Sequence, residues 1–198
     1  METHRPDGFP VHYPQNADAW RAYLAEHHDQ LANTWLVLSK KHDDTASLTY
    51  EEARDEALCY GWVDSKPNKR DENSYYLFFA RRNPKSNWSR INKDRIAALE
   101  QAGKLAPPGR KMVEEAKRSG TWDALNDVDN LIEPEDLLAA FARAGGAAKN
   151  NWDAFPPSAR RGILEWIFNA KRAPTREKRI RETVTLAGRN ERANQYRR

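Results

Sequence analysis

The order of apolar and polar positions divides the chain into a mixed first part and a helical remainder. Asn16 is a candidate N-cap for a helix reaching about His28, with Trp20, Tyr23 and Leu24 on one face. The run Thr34-Trp-Leu-Val-Leu-Ser39 is short, apolar and β-prone, and predicts a strand. Thr49-x-x-Glu52 has the form of a capping box, opening a helix that stops at Gly61 with Ala53, Ala57, Leu58 and Tyr60 inward. Trp62 to Ser65 reads as a strand, Lys66 to Ser74 as a polar hairpin loop, and Tyr75 to Arg81 as the returning strand. Alternation puts Tyr76, Phe78 and Ala80 on one face of that strand. Together these runs predict a small three-stranded antiparallel sheet packed with helices.

From Ser89 onward the pattern is helical. One helix is expected to Ala102, before Gly103, and another from Pro108 or Gly109 to Ser119, before Gly120. Glu133-Pro-Glu-Asp136 opens a third, with acids at its positive end, and Gly145-Gly146 breaks it. A short turn then reaches Phe155. Pro157-Ser158 opens a helix to Lys171, and Pro174-Thr175 opens the last one. The fold class is therefore α+β with a helical C-terminal region. The expected organisation is a flexible N-terminus over 1–14, an α+β core over 15–125, a helical region over 134–187 packed on that core, and a basic tail over 188–198. Trp35, Leu58, Phe78, Trp122, Ile163 and Ile167 are the expected core.

Charge changes this picture in two places. The formal net charge is +4, but residues 171–198 hold ten Lys/Arg against three Asp/Glu, so the preceding 170 residues sum to −3. Six basic residues and one acid lie between Arg81 and Arg95, whereas Thr121 to Leu137 has six acids and no base. An anionic partner fits the basic regions; so does internal charge complementarity with a solvated C-terminal helix. No run of 18 apolar residues exists, so no membrane span is expected. Met1 to Pro14 has no apolar stretch of the kind a signal peptide needs. A single cysteine, Cys59, fits a reducing compartment, and a cytoplasmic location is expected.

Established catalytic motifs are absent, including the phosphate-binding, dinucleotide-binding, zinc-protease and nucleophile-elbow patterns. His4, His12, His27, His28 and His42 show no metal-ligand spacing, so no metal or cofactor is expected. Cys59 lies near a helix C-terminus, where the dipole raises a thiol pKa if anything. The chemistry concentrates between Glu56 and Asn92. Trp62 and Asp64 share strand parity, so Asp64 either pairs with Arg81 or Arg82 across the hairpin or lines a pocket floored by Trp62. Arg81-Arg82-Asn-Pro-Lys85-Ser86-Asn-Trp88-Ser89 joins a strand to a helix that also carries Asn92. Free N–H groups at such an end, with cations beside them, make an anion site; the alternative is a plain cap and staple.

The same stretch carries a family resemblance. Trp35-Leu-Val-Leu-Ser-Lys-Lys41, Glu56-Ala-Leu-Cys-Tyr-Gly-Trp62-Val-Asp64, Phe79-Ala-Arg-Arg82 and Ser86-Asn-Trp-Ser-Arg-Ile-Asn92 resemble the YdeI/OmpD-associated, or bacteriocin-protection, proteins. Gly120-x-Trp122, Pro134-x-Asp-Leu137, Phe155-Pro-Pro-Ser158 and Ala170-Lys-Arg-Ala-Pro-Thr-Arg176 continue the resemblance to about Ala187. It implies a bacterial, cytosolic α+β protein with a helical C-terminus and a role in bacteriocin or stress protection, without established catalytic residues. The expected function is thus non-enzymatic binding of an anionic small molecule or peptide. The site would be a groove of Trp62, Asp64, Arg81, Arg82, Ser86, Trp88, Ser89 and Asn92. The alternatives are a nucleic-acid-binding module using Arg81–Arg95 and the C-terminal helix, and a hydrolase or transferase with Asp64 or Glu56 as general base.

Overall fold

The computed structural model describes residues 3–40 and 48–195. Lys41 and His42 lie outside the described residues. The chain divides into two compact units, Met1–Trp122 and Asp123–Arg198.

The first unit is built on a sheet whose strands are β1 (Val11–His12), β2 (Asn33–Ser39), β3 (Trp62–Lys69) and β4 (Ser74–Arg81). Their order is β1-β2-β4-β3. The α+β class is as expected, but the three-stranded antiparallel sheet is not. Among the described residues the sheet has four strands and is mixed, because β1 runs parallel to β2 with Val11 opposite Trp35. Two residues are too few for a period to register in the sequence. The β3–β4 hairpin is also longer than expected. Pro67, Asn68 and Lys69 pair with Leu77, Tyr76 and Tyr75 beyond a register shift between Asp64 and Pro67. That irregularity lets a proline sit in an edge strand.

Helices α1 (Ala17–His27) and α2 (Tyr50–Cys59) cover one face of this sheet. Asn16 caps α1 by accepting from Ala19 N, and Thr49 and Glu52 complete the capping box of α2. Leu36, Leu38, Leu77, Phe79 and Trp62 pack with Trp20, Leu24, Ala53 and Ala57. The Trp20 indole is buried and donates to the Ala53 carbonyl at 2.9 Å, which ties α1 to α2. Trp35, Tyr76 and Phe78 occupy the opposite face. Phe78 is half-buried rather than core: among the described residues Phe9 packs on it, and Phe9 is itself exposed.

Two more helices complete the unit. Ser89 caps α3 (Arg90–Gln101), and α4 (Pro107–Ser119) ends at Gly120, whose φ of 80° closes the last turn. Leu58 and Cys59 of α2 pack with Trp88, Ile96, Leu99 and Val113 as a second cluster. Trp122 stacks at its margin against Trp88, half-buried.

The second unit is helical among its described residues: α5 (Asn126–Asp129), α6 (Glu135–Ala144), α7 (Gly146–Ala154), α8 (Pro157–Phe168) and α9 (Ala173–Gly188). The turn expected after Gly145-Gly146 is in fact α7. The break is confined to Gly145, whose φ is 86°, and Gly146 already begins the next helix. Its core is Leu137, Phe141, Trp152, Ile163, Ile167 and Val184. Trp152 is fully buried and its indole donates to Glu133 at 2.8 Å.

Candidate functional site

The end of α2, the start of β3 and the start of α4 meet at a single glycine contact. Gly109 lies so close to α2 that a Cβ there would sit 2.3 Å from the Cys59 carbonyl oxygen. Ala106 N also donates to that oxygen at 3.2 Å. Gly61, at a φ of 77°, turns the chain from α2 into β3, and its carbonyl accepts from Arg82 N at 2.9 Å. These close approaches need residues without a side chain, and they bring the last residues of β4 against the first turns of α4.

The result is an open cleft of about 470 Å³. Tyr60, Pro107, Pro108 and Met112 supply apolar walls; Arg81, Arg82 and Lys111 supply cations; His28 and Asp29 lie at the α1 end. Arg81 and Lys111 make no side-chain hydrogen bond or ion pair among the described residues. Arg82 is different. Its guanidinium stacks 4.0 Å over the Trp88 ring and donates to the Asn87 carbonyl at 2.5 Å and the Ser86 carbonyl at 3.4 Å. Its Nε is buried without a partner, and burial lowers its pKa to about 10. No carboxylate among the described residues pairs with it. A cation partly removed from water without a counter-charge carries a desolvation cost, and an anion placed in the cleft would offset it.

Of the eight residues singled out from sequence, Arg81 and Arg82 line this cleft. Trp62 and Trp88 are buried, Trp62 donating to the His28 carbonyl at 3.3 Å. Trp88 serves the cleft indirectly, as the platform for Arg82. Ser86 donates to the Asn83 carbonyl at 2.6 Å, and Ser89 accepts from Asn92 N at 3.4 Å; these residues shape the turn and cap α3. Asp64 accepts from the Tyr50 hydroxyl at 3.0 Å and forms no ion pair with Arg81 or Arg82. Across the hairpin its register partner is Phe79, while Arg81 stands opposite Trp62. Glu56, the other candidate base, is buried and tied to Arg21 at 2.6 Å. Cys59 is fully buried, and burial raises its thiol pKa.

Lys111 and Met112 escaped the sequence reading, and Tyr60, expected on the buried side of α2, lines the cleft half-buried. Lys111 and Met112 lie inside an ordinary helix pattern, and only the packing of Gly109 on α2 brings them to Arg81. Several basic residues proposed for nucleic acid have protein partners. Arg95 pairs with Asp55 at 2.7 Å, Arg176 makes a two-pronged pair with Asp136 at 2.6 and 2.9 Å, and Arg179 donates to the Trp166 carbonyl.

Comparison with known families gives two matches. Residues 12–112 match the family described as "Domain of unknown function (DUF8412)". Residues 130–190 match the family described as "Bacteriocin-protection, YdeI or OmpD-Associated", so the resemblance drawn from the sequence holds over that part of the chain. No curated protein and no solved structure matches.

Proposed function

Because the chain belongs to the family described as "Domain of unknown function (DUF8412)" and its C-terminal part matches the bacteriocin-protection family, we propose that it is a protection protein that works by binding an anion. The bound group is a phosphate, sulfate or carboxylate of a small molecule or an acidic peptide. The binding place is the cleft between the end of β4 and the start of α4. The observation that carries this reading is Arg82: a half-buried guanidinium on an aromatic platform, fixed by two carbonyls and, among the described residues, without a carboxylate partner, with Arg81 and Lys111 beside it likewise without one. Fixing the cation in advance lowers the ordering cost of binding. The apolar walls of Tyr60, Pro108 and Met112 suit a ligand whose anion carries a hydrophobic group. The match over residues 130–190 supports a protective role, and a cytoplasmic one belongs to the same reading.

Titration calorimetry with inorganic phosphate, and with an acidic peptide, tests the reading. Tryptophan emission, with a Trp88→Phe variant to isolate the contribution of Trp88 among the seven tryptophans, reports in parallel, since the Trp88 ring lies under Arg82. Saturable binding weakened at least tenfold by Arg81→Ala/Lys111→Ala, with an unchanged circular dichroism spectrum, is the expected result. Anion binding that the double substitution leaves intact would place the site elsewhere, and absence of saturable binding for every anion class would end the proposal.

A further inference from the structure

The face of the sheet opposite α1 and α2 is covered by a short segment with unusually specific contacts. Arg5 lies between two aromatic rings, its Cζ 4.5 Å from the Trp35 ring and 4.4 Å from the Tyr76 ring. The Trp35 indole donates to Asp7 at 3.1 Å, and Phe9 packs on Phe78 at 5.7 Å. With the Asn68 amide turned so that its oxygen faces Arg5, it accepts from Arg5 Nη1 at 3.3 Å. A cation between two ring faces, an aromatic contact and an indole-to-carboxylate bond make a recognition set rather than a generic apolar cover.

The covering segment is organised by itself. Arg5-Pro-Asp-Gly8 is a turn with Pro second and Gly fourth; Gly8 N donates to the Arg5 carbonyl at 2.8 Å and Arg5 N to the Phe9 carbonyl at 3.0 Å. Asp7 accepts from Phe9 N at 3.1 Å, and Val11 N donates to the Thr3 carbonyl at 2.9 Å. Apart from the Thr3 carbonyl, which is tied to Val11 N in β1, the turn's backbone hydrogen bonds close within 3–9, and its hold on the sheet face comes through the side chains of Arg5, Asp7 and Phe9. The main-chain tie is the two-residue β1 and the Pro10 carbonyl, which accepts from Trp35 N at 2.8 Å. A preformed turn held this way is replaceable by another turn of the same chemistry.

We infer that the Trp35–Tyr76–Phe78 face is a second binding site, for an arginine-bearing turn of another protein, occupied here by the chain's own residues 5–9. The partner it fits has Arg at the first turn position, a carboxylate two residues on and an aromatic residue four residues on. The internal turn acts as a tethered competitor, and its high effective concentration sets how strong an outside partner must be.

The test uses the full chain and a fluorescein-labelled peptide of residues 3–13, read by anisotropy. The variant Arg5→Ala/Phe9→Ala keeps the segment but removes its three contacts with the rings of Trp35, Tyr76 and Phe78. It should bind the peptide at least tenfold more tightly than the unmodified chain does. A peptide carrying Arg5→Ala should lose at least tenfold on the same variant. Should the double variant lose its circular dichroism signature, Asp7→Ala alone, which removes the indole bond, gives the same comparison with an expected gain of at least threefold. Equal affinity of the peptide for folded variant and unmodified chain, equal binding of the Arg5→Ala peptide, or no saturable binding to either protein overturns the inference.

Discussion

Gly109→Ala is the substitution that most directly tests how the cleft is built. The added Cβ would meet the Cys59 carbonyl oxygen at 2.3 Å, its carbon at 2.8 Å and the Leu105 Cδ1 at 3.0 Å. Carbon–oxygen contacts settle at roughly 3.3–3.6 Å, so α4 must retreat by about 1 Å. The two nearest obstructing atoms are backbone, at the end of α2, and cannot rotate away. Overpacking of this kind costs about 1–3 kcal/mol, against a gain of about 1 kcal/mol for alanine over glycine in a helix. An overlap of about 1 Å with backbone atoms takes the upper part of that range, about 2–3 kcal/mol, so the expected net loss is about 1–2 kcal/mol. Gly162, inside α8, is the control: a Cβ there meets nothing within 4 Å, so Gly162→Ala should stabilise by about 0.5–1 kcal/mol. The same change at two helical glycines thus has opposite signs. Urea denaturation followed by circular dichroism measures both, and phosphate titration of Gly109→Ala should show weakened binding, because Lys111 and Met112 ride on the displaced helix. A midpoint for Gly109→Ala equal to or above the parent's would refute the close contact as the determinant of α4's position.

Three further outcomes follow from other contacts. Burial and the nearby His27 lower the His12 pKa from 6.5 to about 4, so the folded state binds fewer protons than the unfolded state in that window. Stability should fall as pH drops from about 6.5 to about 4 and level off below. The ceiling is about 3 kcal/mol, cut to about 1–2 by solvent screening of a half-buried ring, and a His12→Phe variant that keeps the same slope in denaturation at stepped pH would contradict this. The Asp129 side chain is 2% exposed and accepts from Arg161 Nε at 2.8 Å, so Arg161→Met strands a buried carboxylate and should cost about 3 kcal/mol. Adding Asp129→Asn should recover most of that in urea midpoints; no recovery would mean the loss came from packing. Thr49→Ala removes the acceptor for Glu52 N at 3.2 Å and should lower thermal stability by about 1 kcal/mol, and an unchanged melting temperature would show that α2 needs no cap.

The elements legible in sequence were those with a local cause. The capping box of α2, the Asn16 cap of α1, and the glycine stops after α3 and α4 each depend on residues within one turn of each other, so a pattern reveals them. Helix α7 was missed because two adjacent glycines look like a long interruption, although only Gly145 needs a positive φ. Strand β1 was missed because its reason for existing is Trp35, more than twenty residues away.

The site divides along the same line. The sequence places Arg81 and Arg82 at the end of a strand that leads into α3, because strand, loop and helix are consecutive; the helix start they face in the cleft is that of α4. The sequence also supplied Trp88, six residues after Arg82 and within reach of its guanidinium. Which face each strand turns inward, and hence that Trp62 is buried and Asp64 answers to Tyr50 rather than to an arginine, was decided by the register of β3 on β4. That Lys111 and Met112 complete the cleft was decided by the close contact of Gly109 with Cys59. Gly109 and Cys59 are fifty positions apart. Local sequence sets backbone propensity and capping within a few residues. It takes packing, which selects one register and one helix docking from many compatible ones, to convert scattered cations into a site.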